Sequence, residues 1–297
     1  MFEKLHQLGS RVRHTSLMER QSWLWATVEP AWQRMFARMS DQQGFSTHIN
    51  GDIFKLTYEW GSRYDRLDQR AYEPVFYGAL TGAVREGMTV FDLGAHIGIL
   101  TLAAAGRVGP KGRVYAFEPS PETARTLERH IALNGWQDRV EVVRAVASDL
   151  DGTVPFYVSG MSMAASLGRE NMEVLSPDRP AEGAVKLEVP SVTLDRFCAS
   201  CGVKPDVLKI DVEGAELRVL RGARNLLATR RLTILCEVHP KQMEYCGSSR
   251  GPERRVRRAG ISVGAGFVPA LGDHKGRPYN REQRKRSSPF TGHDGLN

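Results

Sequence analysis

The segment Val90-Phe91-Asp92-Leu93-Gly94-Ala95-His96-Ile97-Gly98 constrains the chain most. A short apolar run, Met88 to Leu93, reads as a buried parallel strand. A turn with glycines at 94 and 98 follows, and Ile99 to Arg107 then reads as a helix. Glycines at such a turn let the backbone bend sharply and approach a ligand closely. The pattern is D-x-G-x-x-x-G and not G-x-G-x-x-G, so no close pyrophosphate contact is specifically provided for. The next strand, Arg113 to Phe117, ends in Glu118, twenty residues beyond Gly98. An acidic residue at that distance suits a pair of ribose hydroxyls. Together these features describe a nucleoside-type cofactor lying across the carboxyl ends of parallel strands.

Strand and helix patterns alternate from Thr89 onward. Strands are predicted near 89–93, 113–117, 140–146, 206–210 and 232–237, and helices near 98–107, 121–134 and 214–228. Such alternation implies an α/β fold with a doubly wound, mostly parallel sheet covered by helices on both faces. Residues 154–158 and 185–189 are strand-like, and the polar stretch between them reads as a loop over the site. Before the alternation begins, residues 1–45 look helical, with Trp23, Trp25 and Trp32 as a packing or partner face and Pro30 as an interruption. Asn50-Gly51 marks a hairpin, and Arg70 to Arg85 a helix. The chain thus divides into an N-terminal helical and hairpin extension (1–71), a main domain (72–247) and a tail (248–297).

Net charge locates rather than defines the basic character. Residues 248–297 hold eleven Lys/Arg against four Asp/Glu, which accounts for the whole formal charge of +7. The body is neutral, so nucleic acid is not its expected partner. The tail is rich in Gly, Pro and Arg, sustains no period, and is expected to be disordered. A shifted reading frame would produce such a tail; an RNA-binding extension is the sharper alternative. Nothing approaches the roughly 20 apolar residues of a membrane span, and the N-terminus lacks a signal-peptide core, so a cytoplasmic location is expected. Cys198 and Cys201 form a C-x-x-C pair without a second pair at zinc spacing, and read, with Cys236 and Cys246, as reduced thiols.

The string Asp92-Leu93-Gly94-Ala95-His96-Ile97-Gly98 with Phe117-Glu118-Pro119 resembles the S-adenosylmethionine (SAM) site of class I methyltransferases, a Rossmann-like fold. Leu208-Lys209-Ile210-Asp211-Val212-Glu213-Gly214-Ala215-Glu216, preceded by Val192-Thr193-Leu194-Asp195 and followed by Glu237-Val238-His239-Pro240, resembles the FkbM-type methyltransferase family. The resemblance runs from about Tyr72 to Pro240. It implies that Asp92 orders the loop and reaches the methionine amino group, that Gly94, Ala95 and Gly98 admit the cofactor, and that Glu118 accepts from both ribose hydroxyls. Ser148 and Asp149 fall where adenine is bound. The sheet of class I methyltransferases usually finishes with a helix and an antiparallel hairpin after the fifth strand, a pattern that the tail does not show.

Methyl transfer from a sulfonium requires donor and acceptor to be held in line, and a hydroxyl acceptor must lose its proton. Asp211 ends the fourth core strand, facing the transferred methyl. Lys209, two residues earlier, points to the same side and is a candidate ion-pair partner for Asp211. Glu237 and His239 share a face at the end of the fifth. His239 is the predicted general base, because an unperturbed imidazole with a pKa of about 6.5 is neutral near pH 7, and Glu237 would orient it. His96 reads as loop filler. Asp211, Glu237 and His239 could hold a divalent metal, but without a further characteristic ligand none is expected. The expected function is SAM-dependent O-methylation of a small-molecule, natural-product or saccharide hydroxyl. The alternatives are a catalytically impaired or truncated homologue acting as a binding protein, and an RNA methyltransferase.

Overall fold

The computed structural model describes residues 43–65, 72–158, 165–166, 185–229 and 231–239, with single positions at 31, 34, 35 and 38. The predicted N-terminal helical segment, most of the loop after Val158, Cys246 and the basic tail lie outside the described residues. Chain order begins with a hairpin of β1 (Phe45–Ile49) and β2 (Asp52–Leu56). Asn50 and Gly51 turn it with φ of 50° and 91°, the positive pair that the twist of a two-residue hairpin demands. Two helices follow, α1 (Tyr58–Asp65) and α2 (Pro74–Ala83). The first was not anticipated from the sequence; the second lies inside the predicted 70–85 span and starts later, at Pro74, a residue suited to a first helical turn.

The main sheet then forms. Its strands are β3 (Thr89–Leu93), β4 (Arg113–Phe117) and β5 (Val140–Val143), separated by α3 (Ile99–Val108) and α4 (Pro121–Asn134). A second sheet interrupts: β6 (Val146–Ala147), β7 (Gly152–Val158), β8 (Ala165–Ser166) and β9 (Val185–Val192), with β7 antiparallel to β9. After α5 (Leu194–Cys201) the main sheet resumes with β10 (Val207–Ile210), α6 (Glu216–Arg221), α7 (Arg224–Thr229) and β11 (Thr233–Cys236). The five main strands lie in the order β11-β10-β3-β4-β5, all parallel. The chain runs outward from β3 in one direction, then returns to fill the other side through β10. The crevice between the carboxyl ends of β3 and β10 is therefore the topological switch point, where open α/β sheets bind ligands.

Period-two alternation splits the strands between two cores. Val90, Val114, Ala116 and Val207 join α2, α3 and α4 on one face. Phe91, Leu93, Tyr115, Phe117, Leu208 and Ile210 join α5, α6 and α7 on the other. Helices cover both faces, as the alternation implied. Among the described residues no helix is long and apolar enough to cross a membrane, and no disulfide joins Cys198 to Cys201.

Two expectations need correction. The strand predicted over 140–146 ends at Val143, where Ala145 N–H donates to the Val143 carbonyl at 2.8 Å. That tight turn passes the next residues to the second sheet, where Val146–Ala147 pair with Ser191–Val192. The helix predicted over 214–228 is two helices. A side chain at Gly222 would put its Cβ 1.9 Å from the Ser148 carbonyl oxygen, so only glycine lets the second sheet pack there. Asp195 on α5 then accepts from the backbone N–H of Asn225 and Leu226 at 2.9 and 2.8 Å, satisfying donors that a new helix start leaves open.

His130 fastens α4 to the rest. Its Nδ1 lies 2.8 Å from the Ile97 carbonyl oxygen, and its Nε2 lies 3.2 Å from Thr57 Oγ1. A carbonyl only accepts, so Nδ1 carries the proton and Nε2 accepts from the hydroxyl. Burial pushes its pKa down to about 4. The folded pKa thus lies below the unfolded one, so this contribution to stability is full above about pH 6.5 and is lost as pH falls toward 4. The 2.5-unit span corresponds to at most about 3 kcal/mol. His130→Gln should therefore be less stable than the parent chain at pH 7, with the gap narrowing by up to that amount at pH 4 in urea titrations. A gap that does not change with pH contradicts a neutral, buried His130.

Candidate functional site

The switch point is floored by a buried ion pair. Strand register sets Lys209 of β10 beside Asp92 of β3, and Lys209 Nζ lies 2.9 Å from Asp92 Oδ1. Both are almost fully enclosed, at 2% and 1% exposure. The ammonium also donates to the Gly94 and Leu93 carbonyls at 2.8 and 3.2 Å, while Thr101 of α3 donates to Asp92 Oδ2 at 2.5 Å. Burial alone would lower the Lys209 pKa; Asp92 and then Asp211 hold it above its ordinary value. Asp211, the candidate partner from their shared face, also forms an ion pair with Lys209, at 3.8 Å, longer than a hydrogen bond. Asp92 is the closer partner because the parallel register brings it alongside.

The two loop glycines are fixed by packing. Gly94 has φ +76°, and a Cβ there would fall 1.9 Å from the Asp211 carbonyl oxygen; at Gly98, φ +95°, it would fall 2.3 Å from Leu127 Cδ1. The first lets the loops after β3 and β10 touch, and the second lets α4 close on the loop. Gly94 and Ala95 both donate their N–H to the Phe117 carbonyl, at 3.1 and 3.0 Å, which brings the end of β4 against the turn. There Glu118, 6% exposed, accepts from the His96 N–H through Oε2 and from the Ser120 N–H through Oε1, each at 2.9 Å. Each oxygen keeps a second acceptor site. Burial raises the Glu118 pKa to about 7, against the lowering effect of those two N–H groups. His96 is more than filler: it bends the loop at φ 52° and packs its ring edge-on against Trp60 at 5.6 Å.

Beyond Gly94 the ends of β10 and β11 gather carboxylates around one imidazole. Glu237 N–H donates to the Ile210 carbonyl at 2.8 Å, which sets Glu237 beside Asp211. His239 Nδ1 lies 2.8 Å from Glu216 Oε1. Its Nε2 faces Glu213 at 3.5 Å, Asp211 at 3.8 Å and Glu237 at 3.9 Å. Burial of His239 disfavours charge, but the Glu216 hydrogen bond, then Glu213 and Asp211, override it and push the pKa up to about 9. The expected neutral imidazole is therefore an imidazolium at pH 7, which does not suit it to take a proton. Burial, with Asp211 second, raises the Glu237 pKa, and burial raises that of Glu213 to about 7.

Ser148 and Asp149 are placed differently from the rest. Ser148 is fully buried, donates its N–H to Val192 and its hydroxyl to Asp149, and packs its carbonyl on Gly222. Asp149 faces Arg221 at 3.8 Å. The structure thus brings Asp92, Gly94, Ala95, Gly98, Glu118, Asp211, Glu237 and His239 to the strand ends around the switch point, and places Ser148 and Asp149 in the bend between β6 and β7. Sequence reading missed Glu73. Its pKa is raised to about 7 by burial and by Asp211 and Glu237, so it belongs to the same acidic group. Glu73, His96 and Glu213 all hold left-handed backbone, φ 36°, 52° and 48°, an uncommon conformation for residues with a side chain that concentrates at functional sites. Nothing in residue type announces it.

The model of the methyltransferase FkbM domain matches residues 92–250, more than half of the chain. The chain belongs to this family. It is 32% identical over 154 residues to methyltransferase sdnD of Sordaria araneosa, covering 45% of this chain and 59% of that protein. It is 29% identical over 163 residues to hexuronic acid methyltransferase AglP of Haloferax volcanii, covering 52% and 57%. It is also 29% identical over 178 residues to 31-O-demethyl-FK506 methyltransferase FkbM of Streptomyces tacrolimicus, covering 52% and 67%. The first two matches therefore span less than two thirds of those relatives' own length. A crystal structure of methyltransferase FkbM from Methylobacillus flagellatus superposes with TM-score 0.37 and 15% identity over 68% of this chain and 55% of that one.

In this FkbM-family domain, Lys209 is the testable keystone. Removing one member of a buried pair leaves an uncompensated charge, at a cost of about 3–5 kcal/mol. Lys209→Met should lose that much in chemical denaturation, and adding Asp92→Asn should recover a large part of it. A loss below about 1 kcal/mol for the single variant contradicts the pairing.

Proposed function

We propose that the chain is a SAM-dependent methyltransferase that methylates a hydroxyl of a small molecule, natural product or saccharide, with residues 72–247 as the catalytic domain. The observation that carries this reading is the charge imbalance at the switch point. Among the described residues, Glu73, Asp92, Asp211, Glu213, Glu216 and Glu237 meet only Lys209 and His239 there as the cationic groups that set one another's charge state. Such a site favours a cationic ligand over an anionic one. Family membership and the relatives' names, which specify a hexuronic acid and a 31-O-demethyl acceptor, support an oxygen acceptor.

The residues present fit the cofactor on two counts. Glu118 keeps acceptor capacity for a pair of ribose hydroxyls while two backbone N–H groups fix its orientation. The anionic surroundings complement a sulfonium. SAM, when bound, supplies an electrophilic methyl group. Glu118 would hold the ribose; the loop through Gly94, Ala95 and Gly98 would line the cofactor, with Asp92 ordering that loop from beneath. Ser148 and Asp149 would lie toward the adenine. Asp211, Glu213 and Glu237, with side chains 24%, 29% and 24% exposed, are the carboxylates open to an acceptor, and the hydroxyl proton would pass to this group. His239 would steady them as their shared partner. A proton acceptor in such a position contributes about 10²–10⁴-fold in rate.

The test is SAM binding by calorimetry. Each charge-assisted hydrogen bond contributes about 1.5–3 kcal/mol, so Glu118→Ala should weaken binding at least about tenfold with the fold retained. Ionised Glu118 accepts better than neutral, and its pKa is raised to about 7. Affinity should therefore fall, by up to about tenfold, as pH drops from 8 to 6, and Glu118→Gln should flatten that dependence. An unchanged dissociation constant in Glu118→Ala contradicts the ribose assignment.

A further inference from the structure

The carboxylates at the ends of β10 and β11 form more than an acidic patch. Asp211, Glu237 and His239 each offer a ligand atom, and these atoms all lie within 4.8 Å of one another. Two neighbouring parallel strands fix them: the register pairs Ile210 with Cys236, so Asp211 and Glu237 follow side by side, and His239 shares the face of Glu237 two residues on. At a metal–ligand distance of about 2.0–2.2 Å, adjacent ligand atoms in tetrahedral or octahedral geometry stand roughly 3.0–3.5 Å apart. The observed separations from His239 Nε2, 3.8 Å to Asp211 and 3.9 Å to Glu237, would contract by roughly 0.3–0.9 Å to reach that range.

A second observation concerns the imidazole itself. His239 is 8% exposed. Its Nδ1 is engaged by Glu216 at 2.8 Å, and Glu216 is in turn 1% exposed and held by the Gly214 N–H at 3.0 Å. This fixes the ring so that Nε2 points at Asp211, Glu213 and Glu237, at 3.8, 3.5 and 3.9 Å. A buried imidazole with one nitrogen on a carboxylate and the other aimed at further carboxylates is the arrangement of metal-ligating histidines, whose outer nitrogen is oriented by a carboxylate. Among the described residues the other cation beside this group, Lys209, is held by Asp92 at 2.9 Å and by two carbonyls, and lies 3.8 Å from Asp211.

We propose that Asp211, Glu237 and His239 Nε2 bind one divalent first-row transition cation, which displaces the Nε2 proton on binding, with the ring oriented by Glu216 and flanked by Glu213. One imidazole with two carboxylates favours Mn²⁺, Fe²⁺, Co²⁺ or Zn²⁺ over Mg²⁺ and Ca²⁺, which prefer all-oxygen ligands. Asp211 and Glu237 are a quarter exposed, so three protein ligands leave open positions on the outer side, as in catalytic rather than structural sites. Those positions face the place given above to the acceptor, and the cation would hold an acceptor oxygen there. That last role rests on the methyltransferase reading; the binding of the cation does not.

The experiment uses the full chain, stripped with chelator and desalted. Titration with MnCl₂ followed by electron paramagnetic resonance should show one saturable site, and CoCl₂ should give visible absorption bands of a nitrogen-containing coordination shell. His239→Gln and Asp211→Asn should each weaken Mn²⁺ binding at least tenfold, and His239→Gln should also shift the cobalt spectrum. Circular dichroism and thermal unfolding check that the variants fold; if either does not, Glu237→Gln takes its place. Glu216→Gln, which keeps size but weakens the hold on the ring, should lower affinity less than loss of a ligand does. Absence of saturable binding of Mn²⁺, Co²⁺ and Zn²⁺ up to millimolar concentration, or binding unaffected by the ligand variants, overturns the proposal. SAM binding to the stripped chain is measured separately: its failure with metal binding intact counts against the methyltransferase reading alone, and the reverse outcome against the metal site alone.

Discussion

Everything at the strand ends depends on one ion pair in a place where charge is expensive. Lys209 and Asp92 sit on adjacent central strands with almost no exposure. Apolar residues of similar size at these positions would often be as stable or more so. What they could not supply is the ammonium's grip on the Gly94 carbonyl at the sharp turn and on the Leu93 carbonyl, which also accepts from the Asp211 N–H at 3.2 Å. The pair thus sets the path of the glycine loop. That path presents the His96 N–H to Glu118 and brings the Gly94 Cα against the Asp211 backbone. The buried cation determines where the neighbouring carboxylates stand as much as it neutralises one of them.

Much of this was legible in residue order. The apolar runs at 89–93, 113–117 and 206–210 became β3, β4 and β10 within a residue, because central parallel strands must be apolar on both faces. Glu118 and Asp211 were placed at strand ends for the same reason: the polar residue that stops an apolar run marks the carboxyl end of the strand. Legibility failed where distant segments meet. Gly222 breaks a helix because Ser148 arrives from another sheet, and no local pattern encodes that encounter. Lys209 does form an ion pair with Asp211, the candidate from their shared face, but register across strands adds a closer partner in Asp92, which no pattern along one strand announces. The same holds for Glu73, whose part in the acidic group depends on how α2 packs rather than on any motif.

Histidine shows the limit of reasoning from ordinary pKa values. Among the described residues two imidazoles are buried, with opposite fates. His130, among a carbonyl, a hydroxyl and apolar side chains, is pushed down to about 4 by burial. His239, about as enclosed, is pushed up to about 9 because carboxylates outweigh the same burial. One is a neutral structural link and the other a cation held among anions. The first secures α4 against the glycine loop, and the second organises the acceptor side. Position in the sheet, at a strand end surrounded by acidic loops, separates the two.

The central claim is that the strand ends around β3 and β10 form a cofactor site with Glu118 on the sugar and the β10–β11 carboxylates beyond it. The most direct measurement is a crystal structure of the chain with S-adenosylhomocysteine. In that complex both ribose hydroxyls should lie within about 3.2 Å of the Glu118 carboxylate, the thioether sulfur on the side of Asp211 and His239, and the Asp92–Lys209 pair unbroken beneath. A nucleoside bound elsewhere, or a Glu118 side chain that keeps only its two backbone N–H partners in the complex, would contradict it.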